Sequence, residues 1–187
     1  RRDWNGVSLE VYHHKDHAYN VPRMLDALQK SLEYYTQNFG PYYHKQCRII
    51  EFPRFSSFAQ AFPGTMPYSE GIGFIQDFKD PDKDIDMVFY VAAHEIGHQY
   101  WGHQTCGANM QGSEMLVETF AQWSALMVME REYGRDQMRK FLAYEMDRYL
   151  RGRSTETEKE LPLATCEGQG YIHYNKGSVQ MYQLKEM

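Results

Sequence analysis

The chain is poor in cysteine and lacks a broad positive charge. It contains 3 cysteines among 187 residues. Cys47, Cys106 and Cys166 lie too far apart for a CxxC metal knuckle or a dense disulfide framework. The net charge is -5, and a negative chain offers no basic field to nucleic acid. We therefore expect neither a disulfide-rich scaffold nor a nucleic-acid partner.

Long apolar segments are also missing. The longest purely apolar run, Met87 to Ala93, is far shorter than the roughly 20 residues that a membrane span requires. No signal-like segment opens the chain. The sequence begins without methionine and stops inside a helical pattern, so we expect a soluble fragment of a longer protein, without membrane insertion of its own. These residues leave its localisation unspecified.

The composition that remains is typical of a folded domain. Hydrophobic residues make up 42%, aromatic residues 15% and charged residues 24% of the chain, which separates it from disordered sequences. A length of 187 residues suits one sizeable hydrophobic core. We expect a single α+β domain over residues 1–187, with a sheet-containing part over 1–80 and a helical part over 81–187.

The first half of the chain carries one clear helix and two candidate strands. Residues 22–39 open with Pro22 and repeat leucine and aromatic residues at three- and four-residue intervals, which predicts an amphipathic helix. Gly40 and Pro41 end that pattern. Residues 46–52 and 71–78 read as short strands, with a loop rich in Pro, Phe and Ser between them.

The second half reads as a series of helices. A buried helix is predicted from about residue 85 to Gly102, because its apolar residues face every side. Ser113 is a plausible N-cap for the next helix, which should end near Gly134. Further helices are predicted over 136–150 and 176–187. The polar stretch 151–160 between them is predicted to be an exposed loop.

The segment AAHEIGHQYWGHQ, residues 92–104, places two histidines and a glutamate in the buried helix. Residues four apart share one helix face, so His94 and His98 can present their nitrogens to one point. HExxH on a helix is the zinc-protease arrangement, with the glutamate as general base. Histidines satisfied by other core groups are the alternative, but burying unpartnered polar groups costs several kcal/mol. The pattern favours Zn²⁺ at His94 and His98, with Glu95 as base.

A catalytic zinc needs a third protein ligand, and three residues compete for that position. His103 departs by one position from the HExxHxxGxxH pattern. Glu114 and Glu118 lie four apart on the following helix. Glu114 falls in the exposed first turn, where a carboxylate already favours the helix dipole, whereas Glu118 lies a turn further in, among apolar residues. We predict Glu118 as the ligand.

The motif and its continuation, HEIGHQYWGHQ followed by EMLVETFAQWSALMVMEREYG, resemble the gluzincin metallopeptidases of the aminopeptidase N family. In that family the ligand glutamate follows HExxH by some eighteen residues, and nineteen separate His98 from Glu118 here. The sequence of residues 90–180 is similar to that of peptidase domains joined to ABC-transporter permeases in some bacteria. The resemblance implies a thermolysin-like zincin catalytic domain, mainly helical with a small mixed sheet at its N-terminal side. It also implies a membrane-attached parent protein.

The resemblance assigns two further residues. Tyr174 stands in a Tyr-x-Lys-Gly setting and would donate a hydrogen bond to the oxyanion, with Tyr171 as the nearby alternative. Glu70, in PYSEGIGFI, stands where the family's exopeptidases carry the glutamate that holds the substrate's free amino group. Glu70 is thus an expected substrate-binding residue, although the surrounding Gly-x-Met-Glu-Asn is not reproduced. The predicted strand 71–78 would form the edge of the cleft.

We therefore expect a zinc-dependent peptidase that cleaves peptide bonds by metal-activated water, with aminopeptidase specificity. The alternative function is a catalytically incomplete zinc-containing domain that binds peptides or acts as a scaffold in a transporter-associated protein. A purely structural zinc site is disfavoured, since such sites are usually rich in cysteine and Cys106 is the one cysteine near the motif.

Overall fold

A four-stranded mixed sheet occupies the N-terminal part of the molecule. The structure, a computed structural model, describes residues 1–187. The strands are β1 (Arg2–Trp4), β2 (Val7–Tyr12), β3 (Gln46–Phe52) and β4 (Thr65–Ser69). They are hydrogen-bonded in chain order, β1 antiparallel to β2 and the other neighbours parallel. The carboxyl-terminal ends of β2, β3 and β4 therefore lie at the same end of the sheet.

Five α-helices form the rest of the core. They are α1 (Val21–Phe39), α2 (Met87–Gly97), α3 (Phe120–Tyr133), α4 (Met138–Thr155) and α5 (Gly177–Glu186). α1 connects β2 to β3 and packs on β2 and α2, and α3 packs on the other side of α2. The helix α2 is thus buried between two helices, which is why its apolar residues show no preferred face. No helix is both long and apolar enough to cross a lipid bilayer.

The structure corrects the predicted strand over 71–78. Residues Glu70–Ile72 form a single 3₁₀ turn, and the fourth strand is instead Thr65–Ser69. Gly73 explains the difference, because a Cβ placed there would lie 2.3 Å from the Tyr68 ring. The chain after β4 is therefore folded back tightly on the sheet and cannot continue as a strand.

Residues 58–62, the edge segment, pair antiparallel with β4. The Gln60 N–H donates to the Pro67 carbonyl at 3.1 Å, and the Phe62 N–H donates to the Thr65 carbonyl at 2.8 Å. A tight turn at Gly64, with φ of 67°, joins the two segments, a conformation that favours glycine. Only alternate residues of the segment bond to β4, so the backbone groups of Ala59 and Ala61 face away from the sheet.

The start of α2 is fixed by one buried carboxylate. Asp86 caps the helix by accepting from the Phe89 N–H at 3.0 Å. Its other oxygen accepts from Arg23 of α1 at 2.5 Å and from the Tyr133 hydroxyl of α3 at 2.6 Å. The same side chain therefore sets the position of α2 relative to both neighbouring helices. The helix ends at Gly97, five residues earlier than predicted.

Other boundaries also differ from the sequence prediction. The helix predicted over 136–150 extends to Thr155, so half of the polar stretch 151–160 is helical. Both α3 and α5 are preceded by π-helical turns, Met115–Thr119 and Tyr171–Lys176. These wide turns contain Glu118 and Tyr174, two of the residues predicted to act in the site.

Candidate metal centre

The helix α2 brings His94 and His98 together at its C-terminal end. Their Nε2 atoms lie 3.0 Å apart, and the two residues are 8% and 7% exposed. His98 Nδ1 lies 3.1 Å from the Trp101 carbonyl. Because a carbonyl can only accept, Nδ1 carries the proton and the Nε2 lone pair of His98 is left free to bind a cation.

Glu118 reaches the same point from the π-helical turn. Its Oε2 lies 3.2 Å from His98 Nε2 and 3.5 Å from His94 Nε2. This oxygen is buried and has no hydrogen-bond partner. Burial raises the pKa of Glu118, but its close contacts with the imidazoles of His94 and His98 outweigh that effect and hold the pKa well below its usual range. The glutamate is therefore an anion aimed at two imidazoles.

The three donor atoms fit a zinc ion. Zinc bonds of about 2.0–2.2 Å in a tetrahedron place neighbouring ligand atoms about 3.3–3.6 Å apart. The observed separations are 3.0, 3.2 and 3.5 Å. Two histidine nitrogens and one glutamate oxygen form one of the donor sets found in catalytic zinc sites, which leave a fourth position for water. His94, His98 and Glu118 are thus the residues that would hold the metal.

The π-helical turn accounts for the spacing between the motif and Glu118. In Met115–Thr119 the Phe120 N–H donates to the Met115 carbonyl five residues earlier, where a regular α-helix bonds to the fourth. Such a turn accommodates one extra residue without breaking the helix. The nineteen-residue separation from His98 is therefore compatible with a carboxylate directed at the metal position.

Close backbone packing brings α3 up to α2. A Cβ at Gly97 would lie 3.1 Å from Ala121 Cα and 3.2 Å from the Ala121 carbonyl. A Cβ at Gly177 would lie 2.6 Å from Thr119 Oγ1, and the Thr119 hydroxyl donates to the His173 carbonyl at 2.5 Å. Glycine at these two positions allows the segments that carry Glu118 and Tyr174 to approach the histidines.

Glu95 lies beside the metal position without belonging to the ligand set. The residue is 5% exposed, and burial raises the pKa of its carboxyl, opposed by the nearby histidines and the Ala61 backbone. It lines a cavity together with His94 and Tyr174. A carboxylate in this position can accept a proton from a water bound next to it.

Tyr174 faces the centre from the second π-helical turn. Its ring lies 5.7 Å from that of His94. Burial, together with the negative charge of Glu118, raises the pKa of its hydroxyl, so the phenol is a hydrogen-bond donor at neutral pH. Tyr171, the alternative, also borders the cavity but lies against the ring of Tyr149.

The other two candidate ligands lie outside the donor cluster. His103 Nε2 donates to the Ala61 carbonyl at 3.2 Å, and burial lowers its pKa. The three-residue cluster contains Glu118 and neither His103 nor Glu114. Glu114 precedes the π-helical turn by one residue and acts electrostatically on His173.

Glu70 is not brought to this centre. It lies at the carboxyl edge of the parallel strands, where its oxygens are 3.8 Å from His17 Nδ1 and 3.8 Å from Arg54 Nε. The backbone N–H of Arg54 donates to the Glu70 carboxylate at 3.2 Å. His17 also pairs with Glu51. Glu70 borders a different cavity from the one that contains His94, because it follows β4 directly rather than lying on the edge segment.

Sequence reasoning missed the segment that does border the centre. Residues 58–62 contribute Phe58 to a cavity of about 690 Å³ beside His94. They contribute Gln60 and Ala61 to one of about 310 Å³ beside His98 and Glu118. The Pro63-Gly64 pair between two apolar stretches is a hairpin signal that could have located this edge.

Gln99 fixes the edge segment against α2. Its fully buried amide accepts from the Gly64 N–H at 2.8 Å and donates to the Phe62 carbonyl at 2.9 Å. The hairpin turn is thereby held one residue from His98. This role has no signature in the sequence, since Gln99 reads only as a polar residue following the motif.

The sequence of the chain matches known zinc-peptidase sequences. Residues 23–187 match the Peptidase family M1 domain. Human endoplasmic reticulum aminopeptidase 2 is 25% identical over 189 residues, which cover 97% of this chain and 20% of that protein. The chain therefore spans about a fifth of this relative.

Solved structures give the same fold. A point mutant of an M1 zinc metallopeptidase from Deinococcus radiodurans superposes with a TM-score of 0.60 at 20% identity, covering 85% of this chain and 32% of that one. The same enzyme bound to a Tyr-Ser-Ala substrate gives 0.59 at 19% identity, covering 84% and 32%. The predicted α+β zincin fold is confirmed. The chain belongs to peptidase family M1, a family of zinc metallopeptidases.

Proposed function

We propose that this chain is the catalytic centre of a zinc-dependent peptidase. The observation that carries the proposal is the convergence of His94, His98 and Glu118 on one point. Their donor atoms lie 3.0–3.5 Å apart, with Glu95 and Tyr174 on the adjoining cavity wall. A zinc ion bound there would polarise the scissile carbonyl and lower the pKa of a water toward about 7.

Three side chains would divide the remaining chemistry. Glu95 would accept a proton from the attacking water and pass it to the leaving amine nitrogen. Tyr174 would donate a hydrogen bond to the oxygen that gains negative charge, a role worth about 2.7–4 kcal/mol for a single donor in other enzymes. Gln99 would act at a distance, as a positioning residue that keeps residues 58–62 beside the water.

The edge segment supplies a path for extended substrate. The residues of this segment that bond to β4 are Phe58, Gln60 and Phe62, which leaves the backbone groups of Ala59 facing away from β4. A peptide can pair with such an edge as an added strand, and it would then cross the metal position from one cavity to the other. Substrate would thus be bound through its main chain, with side chains entering the cavities.

The test compares the intact wild-type protein with Glu95→Gln, both loaded with zinc, on a panel of peptides. We expect Glu95→Gln to keep its zinc and to lose turnover by about 10²–10⁴-fold. A zinc-loaded wild type that hydrolyses no peptide would contradict the proposal and favour the peptide-binding or scaffold role. Equal turnover in the variant would remove Glu95 as the base.

Aminopeptidase specificity is the finer form of the proposal. Its support is the human relative, which is named an aminopeptidase. Glu70 lends it no support, because its carboxylate lies between His17 and Arg54. Matched peptides with free and acetylated N-termini test it: loss of turnover on acetylation supports an aminopeptidase, and equal turnover contradicts one.

A further inference from the structure

The larger cavity runs from the metal position to one face of α4. Its volume is about 690 Å³, and its inner end is formed by His94 and Glu95. Tyr144, Arg148 and Arg151 border its other side, at the four- and three-residue spacings that place side chains on one helix face. The wall opposite the catalytic residues is therefore aromatic and cationic.

Arg148 is the cationic group of this wall that has no carboxylate partner. Its guanidinium donates to the Tyr144 hydroxyl at 3.2 Å and lies 5.4 Å from the centre of the same ring. None of the ion pairs in the molecule includes Arg148, whereas Arg151 pairs with Asp147 at 2.8 Å. The guanidinium of Arg148 is thus held in place by an aromatic ring with most of its donors unused.

The buried carboxyl group of Glu145 cannot take those donors. Glu145 lies behind the wall and is fully buried. Its Oε1 accepts from the Tyr90 hydroxyl at 2.7 Å and from Gln122 at 2.8 Å, and its Oε2 accepts from Asn175 at 2.6 Å. Its effect on Arg148 is a through-space attraction, which leaves the cavity side of the guanidinium available.

A second feature of the cavity favours an anionic guest. Glu95 is the one carboxylate that borders it, and that carboxylate lies at the metal end with a role in the proposed reaction. At the α4 side the guanidinium of Arg148 has no carboxylate partner, whereas that of Arg151 is paired with Asp147. An extended peptide reaching across the cavity would therefore bring its far end to an exposed guanidinium, which can form charge-assisted hydrogen bonds with a carboxylate.

We propose that Arg148 binds a carboxylate of the peptide substrate and so determines which peptides are cleaved. The planar guanidinium matches a carboxylate with two parallel hydrogen bonds, which a lysine cannot reproduce. The carboxylate is either the C-terminus of a short peptide or an acidic side chain. This inference rests on the proposed peptidase function and names its substrate class.

The experiment uses peptides that differ only in that charge. One pair compares a C-terminal carboxylate with the C-terminal amide, and a second pair compares an internal glutamate with glutamine. In the intact wild-type protein we expect kcat/KM to favour the charged member of one pair by about 10-fold or more, chiefly through KM. The pair that shows the preference identifies the source of the carboxylate. No preference in either pair would overturn the proposal.

Variants of α4 assign that preference to one side chain. Arg148→Gln is expected to reduce the ratio between charged and neutral peptides by about 10–100-fold, and Arg148→Lys to restore part of it. Arg139→Gln is the control, since it makes the same change in net charge nine residues earlier, which is about 180° around the helix. An unchanged ratio in Arg148→Gln, or an equal loss in Arg139→Gln, would overturn the assignment.

A binding measurement separates this inference from the peptidase proposal. The same peptide pairs are titrated into the zinc-loaded Glu95→Gln protein by calorimetry, with and without Arg148→Gln. Tighter binding of the charged peptide that depends on Arg148 supports the inference even if the wild type hydrolyses nothing. Equal binding of both members of each pair would refute it, whether or not the wild type is an active peptidase.

Discussion

Two clusters of histidine and glutamate in this molecule have similar composition and different chemistry. His94, His98 and Glu118 meet at the C-terminal end of α2. His17, Glu51 and Glu70 meet at the carboxyl-terminal ends of the parallel strands. In the first cluster, two imidazole nitrogens and a partnerless carboxylate oxygen face one another. In the second, the groups satisfy one another: His17 and Glu51 are in direct contact.

The difference lies in unmet bonding capacity. Glu51 also accepts from the His14 backbone N–H at 2.5 Å, and Glu70 is shared between His17 and Arg54. In the second cluster the charged groups are therefore already paired, and they hold the segment that contains His14 and His17 against the sheet. In the first, Glu118 Oε2 lies 3.2 and 3.5 Å from the two imidazoles without a hydrogen bond, and a divalent cation would satisfy all three groups. Residue types alone do not separate the two.

The largest expected effect comes from removing one histidine from each cluster. His98→Ala should abolish zinc binding and reduce peptidase activity to background, while His17→Ala should leave both in place. Zinc at about 100 times its dissociation constant stabilises a protein by about 2.7 kcal/mol, or about 5–10 °C at this size. That thermal shift should persist in His17→Ala and vanish in His98→Ala. Zinc loss in His17→Ala would break the comparison.

The next effect is confined to catalysis. Tyr174→Phe removes the hydroxyl that faces the metal position and should lower kcat by about 10²–10³-fold, with zinc content and unfolding temperature unchanged. Tyr171→Phe is the matched control, because its ring borders the same cavity but lies against Tyr149. A larger loss in Tyr171→Phe would reassign the oxyanion donor.

A smaller effect follows from the packing under each cluster. Gly97→Ala places a Cβ 3.1 Å from the Ala121 backbone, so α3 must move away from α2. We expect a loss of about 1–3 kcal/mol in the free energy of unfolding, and weaker zinc binding, since α3 continues from the turn that carries Glu118. Gly71→Ala, beside the second cluster, meets Arg54 Cβ at an ordinary 3.4 Å. Urea unfolding should show little change there.

The smallest effect is a pH dependence of the second cluster. Its hydrogen bond and charge interaction with Glu51 raise the pKa of His17. A histidine whose pKa is raised on folding stabilises the protein below its unfolded pKa, near 6.5, and that contribution is lost as the pH rises through the folded value. His17→Ala should therefore lower the unfolding temperature more at pH 6 than at pH 9, by a few degrees at most because the pair is near the surface. An equal loss at both pH values would contradict the ion pair.

The sequence predicted those parts of the molecule that depend on local pattern. Apolar periodicity located α1 to within one residue and the strand Gln46–Phe52 at its observed bounds, and the HExxH spacing on α2 indicated the metal. The fold class, the family and zinc as its cofactor are confirmed. The assignments of the individual site residues and of domain extent remain predictions.

The parts that were mispredicted depend on contacts far apart in the chain. β4 has five residues and contains Pro67, which argues against a central strand, whereas the sequence prediction placed a strand over 71–78. The 3₁₀ turn at Glu70 follows from the packing of Gly73 on the Tyr68 ring. Glu70 lies there between His17 and Arg54. Residues 58–62 are held beside the motif by the hydrogen bonds of Gln99, a contact that no short pattern encodes.

The two wide turns constrain how this chain could be engineered. Deleting one residue from Met115–Thr119 would give a regular helix, and it would turn Glu118 about 100° away from the histidines. The same holds for Tyr174 in Tyr171–Lys176. A deletion library selected for heat resistance alone should therefore enrich inactive proteins shortened at these two places. Selection for hydrolysis should retain the extra residue in each of the two π-helical turns, although these turns interrupt the regular helix.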